Sequence, residues 1–348
     1  RQFAALAQGL GRARIHYAVK ANPAPEILRK LHSLGSNFDA ASRVELQMCL
    51  DAGAAPEQLS FGNTIKRGVD IAFAHSIGVT MFAADCEAEL DKIAEHAPGA
   101  RVYIRLIVEN SMADWPLTRK FGCAGSLLPS LLEYTKSVGL VPYGLSFHVG
   151  SQTRRAEYWH PVLDQVAPLW HAAKEAGHDL QLLNIGGGFP AYHGDPVDAP
   201  RGYAAAVVAA VKERFGEIPV LMAEPGRGMV GNAGVIKSEI VLISKKSEED
   251  DVRWVYLDIG KFGGLAETMD EAIRYNIVTP RDGDAAEPCV LAGPTCDSAD
   301  VLYEKKPYAL PLSLTIGDEV LIEGTGAYTT TYSAVAFNGF EPLRSYVI

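Results

Sequence analysis

The stretch RIHYAVKANPAPEILRKLHSLGSNFDAAS, residues 14–42, contains the pattern that decides the fold. An apolar run at Ile15–Val19 is followed by an amphipathic stretch at Pro25–Leu34 and by a second short run at Asn37–Ala40. A strand, a helix and a strand in this order predict a parallel βαβ unit, because the helix covers the sheet while the chain returns to start the next strand.

The same alternation continues along the first 225 residues. Further apolar runs with the composition of buried strands lie at Leu59–Phe61, Thr80–Ala83, Val102–Leu106, Gly144–Phe147, Leu180–Ile185 and Val220–Ala223. Eight strands in roughly 210 residues match the number and length of a (β/α)8 barrel, whereas a doubly wound sheet usually has fewer strands in this length. The sequence therefore predicts an α/β fold with a TIM barrel over residues 1–231.

The pattern changes after Gly226, where helical stretches become rare. Strands are predicted at Val235–Ser244, Val252–Asp258, Pro288–Leu291, Glu319–Ile322 and Thr329–Phe337, and a helix only at Gly264–Tyr275. Short strands separated by turn residues are typical of antiparallel sheets. We therefore predict a second domain over residues 232–348, a mainly antiparallel β-barrel or sandwich with one short helix.

Composition excludes several classes of protein. Of the 348 residues, 48% are hydrophobic and 21% are charged, which is typical of a globular chain, and the net charge of −10 argues against a nucleic-acid partner. The longest apolar run, Tyr203–Val211, is half the length that a membrane span requires. Five scattered cysteines and no recognisable export signal predict reduced thiols and a cytoplasmic location.

Reactive side chains or glycines follow most of the predicted barrel strands. In barrels of this kind the catalytic groups collect at the carboxyl ends of the strands, so these residues predict an active site. The groups at the strand ends are Lys20, Asp39, Asp85, Arg105, His148, the cluster Gly186–Gly188 and Glu224.

The chemistry of three of these positions, and of Arg227 just beyond the eighth strand, suggests one kind of cofactor. The Lys20 amine can form a Schiff base, and the backbone N–H groups of Gly186–Gly188 can approach a phosphate. A carboxylate such as Glu224 can hold a proton on a pyridine nitrogen, and Arg227 suits a phosphate. Taken singly, the same residues also fit an ion-paired lysine, a tight turn and a structural ion pair. His148 can lie against an aromatic ring or simply be hydrogen-bonded, and no metal-binding spacing is present.

Seven motifs resemble, in order, those of the ornithine/diaminopimelate/arginine decarboxylase family, pyridoxal-phosphate enzymes with an alanine-racemase-like barrel. The bacterial ornithine and lysine/ornithine decarboxylases are the most similar branch. The motifs are AVKAN (18–22), FDAAS (38–42) with Glu45, SFHVGS (146–151), IGGGFP (185–190), AEPGR (223–227), GPTCD (293–297) and GAYT (326–329). The first strand of the family's β domain, which precedes the lysine motif, has no counterpart here.

The resemblance implies a role for each matching residue. Lys20 would hold pyridoxal 5'-phosphate covalently, His148 would stack on its ring and Glu224 would bind its pyridine nitrogen. Cys296 would assist protonation of the α-carbon, and Asp297 would meet the distal amine of the substrate. The remaining cofactor residues would be Asp39, Glu45, Arg105, Lys120, Ser151, Gly186, Gly187, Gly188, Gly226, Arg227 and Tyr328.

The resemblance also implies a homodimer, because Cys296 and Asp297 of such enzymes reach the active site of the other subunit. The substrate segment corresponds to Gly264–Tyr275, where Glu267, Asp270 and Glu271 offer anions to a cationic substrate; Tyr328 is a further candidate contact. We expect decarboxylation of L-ornithine to putrescine in polyamine biosynthesis. Lysine or diaminopimelate decarboxylation, a racemase and an inactive regulatory homologue remain alternatives.

Overall fold

The computed structural model describes residues 1–110, 112–114 and 120–348, and this part of the chain divides into two compact units. The first unit contains residues 1–190 and 197–229, and the second contains residues 191–196 and 230–348. The sequence pattern predicts a single division near residue 231. That the short segment 191–196 belongs with the second unit is a feature that only the structure reveals.

Eight parallel strands form a closed barrel in the first unit, in which each strand pairs with the next and the eighth pairs with the first. At the closure Ile15 lies opposite Ala223. The predicted TIM barrel is therefore confirmed. Its strands are β1 Arg14–Ala18, β2 Asn37–Ala40, β3 Leu59–Phe61, β4 Met81–Ala84, β5 Arg101–Arg105, β6 Val141–Ser146, β7 Leu182–Asn184 and β8 Val220–Ala223.

Helices connect the strands and cover the barrel. They are α1 Gln2–Leu10, α2 Pro25–Ser33, α3 Arg43–Asp51, α4 Gly68–Ser76, α5 Glu87–His96, α6 Leu128–Ser137, α7 His160–Glu175, α8 Pro200–Phe215 and the single turn α9 Arg227–Val230. Helix α1 precedes the barrel and packs on α8, where a Cβ added to Gly9 would lie only 2.3 Å from the carbonyl oxygen of Arg201. None of the helices in the described residues is both long and apolar enough to cross a membrane.

The interior of the barrel is filled by alternate residues of its strands. Met81, Ala83, Tyr103, Leu182 and Met222 form one buried cluster there. Since successive side chains of a strand point to opposite faces, the residues between them face the helices and are also buried. A filled interior leaves the strand ends as the place where polar groups can meet a ligand.

The second unit contains one six-stranded sheet in the order β11-β14-β9-β10-β12-β13. Every neighbouring pair is antiparallel except β10 and β12, so the predicted mainly antiparallel domain is confirmed. The strands are β9 Val235–Ser244, β10 Arg253–Leu257, β11 Asn276–Val278, β12 Ala286–Ala292, β13 Val301–Pro311 and β14 Glu319–Glu323.

Two predicted elements of this unit are wrong. The strand expected at Thr329–Phe337 is replaced by two short 3₁₀ turns, Thr330–Tyr332 and Phe337–Gly339, because Tyr328 and Ala336 adopt left-handed φ angles of 56° and 59° that an extended strand excludes. The helix expected at Gly264–Tyr275 is reduced to the 3₁₀ segment Ala266–Glu271, which is interrupted by Asp270 at φ 52°.

Two strands escaped prediction. Strand β13 carries the exposed sequence Glu304-Lys305-Lys306-Pro307 in its middle, and β11 is only three residues long. Charged residues and proline are frequent on edge strands, since they hinder pairing with another chain, and β13 does lie at one edge of the sheet. The charged residues and the proline in the middle of β13 are therefore explained by its position at the edge of the sheet.

Candidate active site

The barrel topology brings five of the predicted site residues to one mouth. Lys20 follows β1, Asp39 lies in β2, Arg105 ends β5, and His148 and Glu224 follow β6 and β8. Because the strands are parallel and the barrel is closed, their carboxyl ends form a ring at one end of it. Lys20 is exposed there, so its amine is accessible to a ligand.

Asp39 is buried at this mouth and interacts with the neighbouring strand. Its Oδ1 atom accepts a hydrogen bond of 2.8 Å from the hydroxyl of Ser60. Burial and the negative charge of Glu224 raise the pKa of the Asp39 carboxyl well above its usual value, although the positive charge of Lys20 opposes the shift. Asp39 therefore favours its protonated form, in which it can donate a hydrogen bond.

Glu45 lies in the first turn of α3, behind the strand that carries Asp39. Its carboxylate accepts a 2.6 Å hydrogen bond from the backbone N–H of Ala41, and its own N–H donates to Oγ of Ser42, the N-cap of the helix. Burial raises the pKa of Glu45. These contacts hold the loop between β2 and α3 in place.

His148 is held as a neutral ring. Its Nδ1 atom accepts a 3.0 Å hydrogen bond from the N–H of Gly150. Burial, and then the charges of Arg105 and Lys20, lower the pKa of His148 to about 3. The proton of the neutral imidazole therefore resides on Nε2, and the ring presents an uncharged flat face.

The glycine loop after β7 is packed so closely that side chains are excluded. Gly186 and Gly188 adopt φ angles of 69° and 94°, which favour glycine. A Cβ atom added to Gly187 would lie 2.8 Å from the carbonyl oxygen of Glu224 and 3.0 Å from Nε2 of His148. The loop thus exposes backbone in a narrow space between these two residues.

Arg227 begins α9 directly after the buried Gly226. The Arg227 side chain is almost fully buried, at 4% exposure, and its Nη2 atom donates a 3.2 Å hydrogen bond to Oγ of Ser151. A buried guanidinium near a hydroxyl and a glycine loop has the donors that a phosphate group requires.

Arg105 and Lys120 share an aromatic neighbour. The guanidinium of Arg105 and the ammonium of Lys120 lie 4.9 and 5.0 Å from the ring centroid of Phe121. Both cations can interact favourably with the π face of this ring. The contact places the exposed Lys120 beside the end of β5.

Asn184, which the sequence analysis missed, forms hydrogen bonds with both Glu224 and the glycine loop. Its Nδ2 atom donates a 2.5 Å hydrogen bond to Oε1 of Glu224, and its Oδ1 atom accepts a 2.9 Å hydrogen bond from the N–H of Gly186. Its position at the end of β7, directly before the glycine motif, is the signal that could have identified it.

Three of the six predicted site residues in the second unit lie outside the predicted substrate segment. Cys296 and Asp297 are exposed on a loop; the N–H of Cys296 donates to Oδ1 of Asn338, and Oδ1 of Asp297 accepts from the N–H of Ala299. Tyr328 is half-buried and has the left-handed φ noted above. Such backbone conformations cost free energy and are frequent at functional sites.

The three acids of the predicted substrate segment have different surroundings. The Glu271 carboxylate accepts hydrogen bonds of 2.8, 2.6 and 3.1 Å from the N–H groups of Glu304, Lys305 and Lys306, so it anchors the segment to β13. Asp270 is exposed and lies 3.4 Å from the ammonium of Lys305. Glu267 is buried. The structure thus gives Glu271 a structural contact that its sequence position did not indicate.

The residues of the first unit fit pyridoxal phosphate. Gly186–Gly188, Ser151 and Arg227 have donors that a phosphate group could use, and His148 has a neutral face against which a ring could lie. A side chain at Gly187 would fill the space beside His148 and Glu224, so the loop leaves room where a flat ring needs it. The accessible Lys20 amine suits the aldehyde.

Comparison with known proteins agrees with this assignment. Residues 1–231 match the family model described as the pyridoxal-binding domain of pyridoxal-dependent decarboxylases. The lysine/ornithine decarboxylase of Selenomonas ruminantium is 34% identical over 334 residues, which cover 95% of this chain and 82% of that protein.

Solved structures show the same fold. The lysine decarboxylase of Selenomonas ruminantium in complex with PLP and cadaverine has a TM-score of 0.86 at 31% identity, covering 100% of this chain and 87% of that one. The arginine decarboxylase of Paramecium bursaria Chlorella virus bound to agmatine has a TM-score of 0.87 at 30% identity, with coverages of 100% and 92%.

Proposed function

This chain belongs to the family of pyridoxal-dependent decarboxylases, it decarboxylates a basic amino acid, and we propose that L-ornithine is its preferred substrate and putrescine its product. Its cofactor is pyridoxal 5'-phosphate. Lysine, which would give cadaverine, is the second candidate. Both substrates end in an amine, whereas diaminopimelate carries a distal carboxylate that needs a cationic partner.

The choice of an amine-ended substrate rests on Arg274, the one arginine in the segment Gly264–Tyr275. This arginine already has partners within the protein. Its guanidinium donates hydrogen bonds of 2.7 and 3.0 Å to the carbonyl oxygens of Lys306 and Pro307. It also lies 5.0 and 4.7 Å from the ring centroids of Tyr303 and Tyr308. These contacts bind Arg274 to the edge strand β13. Arg274 is therefore a poor partner for the distal carboxylate of diaminopimelate, which argues against this substrate.

Two exposed carboxylates remain as partners for the distal amine of the substrate. Asp297 accepts a local hydrogen bond from the N–H of Ala299, and Asp270 pairs weakly with an exposed lysine at 3.4 Å. An exposed ion pair contributes little, so a substrate ammonium can replace Lys305 at small cost. We assign the distal amine to Asp297 first and to Asp270 second. Glu271 is not needed for this role, because its oxygens already accept three backbone N–H groups.

In the first unit, different residues would bind the cofactor and orient it. When bound, pyridoxal phosphate supplies an electron sink for the pair that remains on the α-carbon after CO2 leaves. Lys20 would hold the cofactor through its amine. Glu224 would hold a proton on the pyridine nitrogen, and the uncharged ring of His148 would lie against the cofactor ring. Arg227, Ser151, Gly226 and the glycine loop would bind the phosphate.

We assign to Cys296 the delivery of the proton that completes the reaction at the α-carbon. A thiol on an exposed loop can deliver a proton to the α-carbon once the loop of a second subunit reaches the site. We therefore propose that the active enzyme is a homodimer whose sites combine Lys20 of one subunit with Cys296 and Asp297 of the other.

The experiment that tests the function measures CO2 release by the purified protein, supplied with pyridoxal phosphate, from ornithine, lysine, arginine and diaminopimelate. We expect the highest kcat/KM with ornithine, a lower value with lysine and none with diaminopimelate. Borohydride reduction followed by peptide mass mapping should place the cofactor on Lys20, and Lys20→Ala should abolish both the adduct and the activity. Inactivity on all four amino acids would overturn the proposal.

A further inference from the structure

The side-chain amide of Asn184 is held in one orientation at the end of β7. This residue is 1% exposed, and its amide makes two hydrogen bonds, one to Oε1 of Glu224 and one from the N–H of Gly186. An asparagine oxygen only accepts and its nitrogen only donates. Since the N–H of Gly186 must face the oxygen, the nitrogen must face Glu224, and a flipped amide would lose both bonds.

A backbone contact adds to this link between the two strand ends. The N–H of Glu224 donates a 2.7 Å hydrogen bond to the carbonyl oxygen of Gly186. Gly186 therefore contacts Asn184 through its N–H and Glu224 through its C=O. The orientation of the Glu224 carboxylate is thus tied to the first residue of the glycine loop.

The Asn184 amide also supplies a hydrogen-bond donor to one of the two acids at the barrel mouth. A donor to a carboxylate stabilises its ionised form. Glu224 receives such a donor, whereas the neighbouring Asp39 is buried and the charge of Glu224 raises its pKa. The other charged groups that act on this pair are Lys20 and Glu45.

We propose that Asn184 is a positioning residue that aims the Glu224 carboxylate at the pyridine nitrogen of the cofactor, in register with the glycine loop that binds the phosphate. This inference rests on the proposed role of Glu224. If Asn184 has this role, its substitution should change only how the protein binds the ring nitrogen of the cofactor.

The test compares two ligands that differ only at that atom. Pyridoxal 5'-phosphate and its 1-deaza analogue, in which carbon replaces the ring nitrogen, are titrated into the full-length protein, and the ratio of their dissociation constants is measured. Asn184→Asp keeps an oxygen for the N–H of Gly186 but replaces the donor to Glu224 by a second carboxyl group. Two carboxyl groups in contact share one proton, so the charge available to the ring nitrogen falls. Asn37→Asp, at the opposite end of the barrel, is the matched control.

We expect Asn184→Asp to reduce the preference for pyridoxal phosphate over the analogue about tenfold, while Asn37→Asp changes it less than twofold. In a Glu224→Gln background, Asn184→Asp should add less than twofold, because residues that act through one another are not additive. If Asn184→Asp does not fold, Asn184→Ser, whose side chain is too short for both partners, is measured with the same expectation.

Two results would overturn the inference and are distinguishable. An unchanged ratio in Asn184→Asp, with a reduced ratio in Glu224→Gln, would show that Glu224 acts without Asn184 and would leave the proposed function intact. An unchanged ratio in Glu224→Gln would overturn the proposed role of Glu224 and this inference with it.

Discussion

The hydroxyl of Ser60 donates a 2.8 Å hydrogen bond to Oδ1 of Asp39, and both residues are buried where neighbouring barrel strands end. This bond satisfies one oxygen of a carboxyl group whose pKa is raised, mainly by burial and by the charge of Glu224. Asp39 is therefore an acid whose protonated form is favoured by the fold, and the charge of Glu224 contributes to this effect.

The substitution Asp39→Asn mimics the protonated carboxyl and should alter the pH dependence of stability. Because the folded pKa of Asp39 is raised, its contribution to stability is present below the unfolded pKa and is lost as the pH rises through the folded value. The free energy of unfolding of the cofactor-free protein, measured with urea at several values between about pH 4 and pH 8, should fall less with rising pH in Asp39→Asn than in wild type. Equal slopes for the two proteins would contradict the assignment.

The lowered pKa of His148 predicts that its contribution to the pH dependence of stability has the opposite sign to that of Asp39. Its folded pKa of about 3 lies below the ordinary value of 6.5, so its contribution to stability is complete above 6.5 and is lost as the pH falls through this interval. His148→Phe should lose less stability than wild type between about pH 7 and pH 5 in urea unfolding. Substitution of the exposed His75 by Phe serves as the control and should leave the acid sensitivity unchanged. The same acid sensitivity in His148→Phe as in wild type would count against a neutral buried ring.

Gly187→Ala tests whether the narrow space in the glycine loop is used by the cofactor. The added methyl group would lie 2.8 Å from the Glu224 carbonyl and 3.0 Å from Nε2 of His148, so the loop must shift. We expect the affinity for pyridoxal phosphate to fall at least tenfold, or about 1.4 kcal/mol, in a fluorescence titration.

Gly202→Ala is the matched control for that change. Gly202 lies in α8 with no atom within 4 Å of an added Cβ, so the substitution should stabilise the helix by roughly 0.5–1 kcal/mol and leave cofactor affinity unchanged. Wild-type affinity in Gly187→Ala would mean that the loop does not approach the cofactor.

Mixing two inactive variants tests the shared active site. Lys20→Ala and Cys296→Ala remove residues that we assign to opposite subunits of one site. If the subunits exchange freely, half of the dimers are mixed and each mixed dimer has one intact site, so about a quarter of the wild-type activity should return. The absence of recovery, with exchange demonstrated by mass spectrometry, would place both residues in the same subunit's pocket.

Much of the fold could be predicted because the barrel strands are buried on both faces. The run Val220–Ala223 is a continuous apolar segment, and its observed bounds, like those of Leu59–Phe61, agree with the prediction. In the second unit the strands have exposed faces and edges. Strand β13 contains Glu304-Lys305-Lys306-Pro307, whose polarity conceals a strand that its neighbour β12 stabilises by pairing.

The site could be predicted in part for a similar reason. Lys20, His148 and Glu224 are recognisable because reactive side chains directly after apolar strands are unusual. Asn184 and Ser60 are not, since an asparagine or serine acquires its role only when a partner from another strand comes within hydrogen-bond distance. The surroundings of Arg274 and Glu271 likewise depend on β13, which lies about thirty residues further along the chain.

The amino-acid sequence alone determined that this protein builds a parallel barrel with reactive groups at its strand ends, because apolar periodicity and residue chemistry are local properties. Only the tertiary structure decided which acid has a raised pKa, which amide orients Glu224 and which cation already has partners within the protein. Those properties depend on burial and on distances between residues remote in sequence, and both arise when the barrel closes and the strands pair.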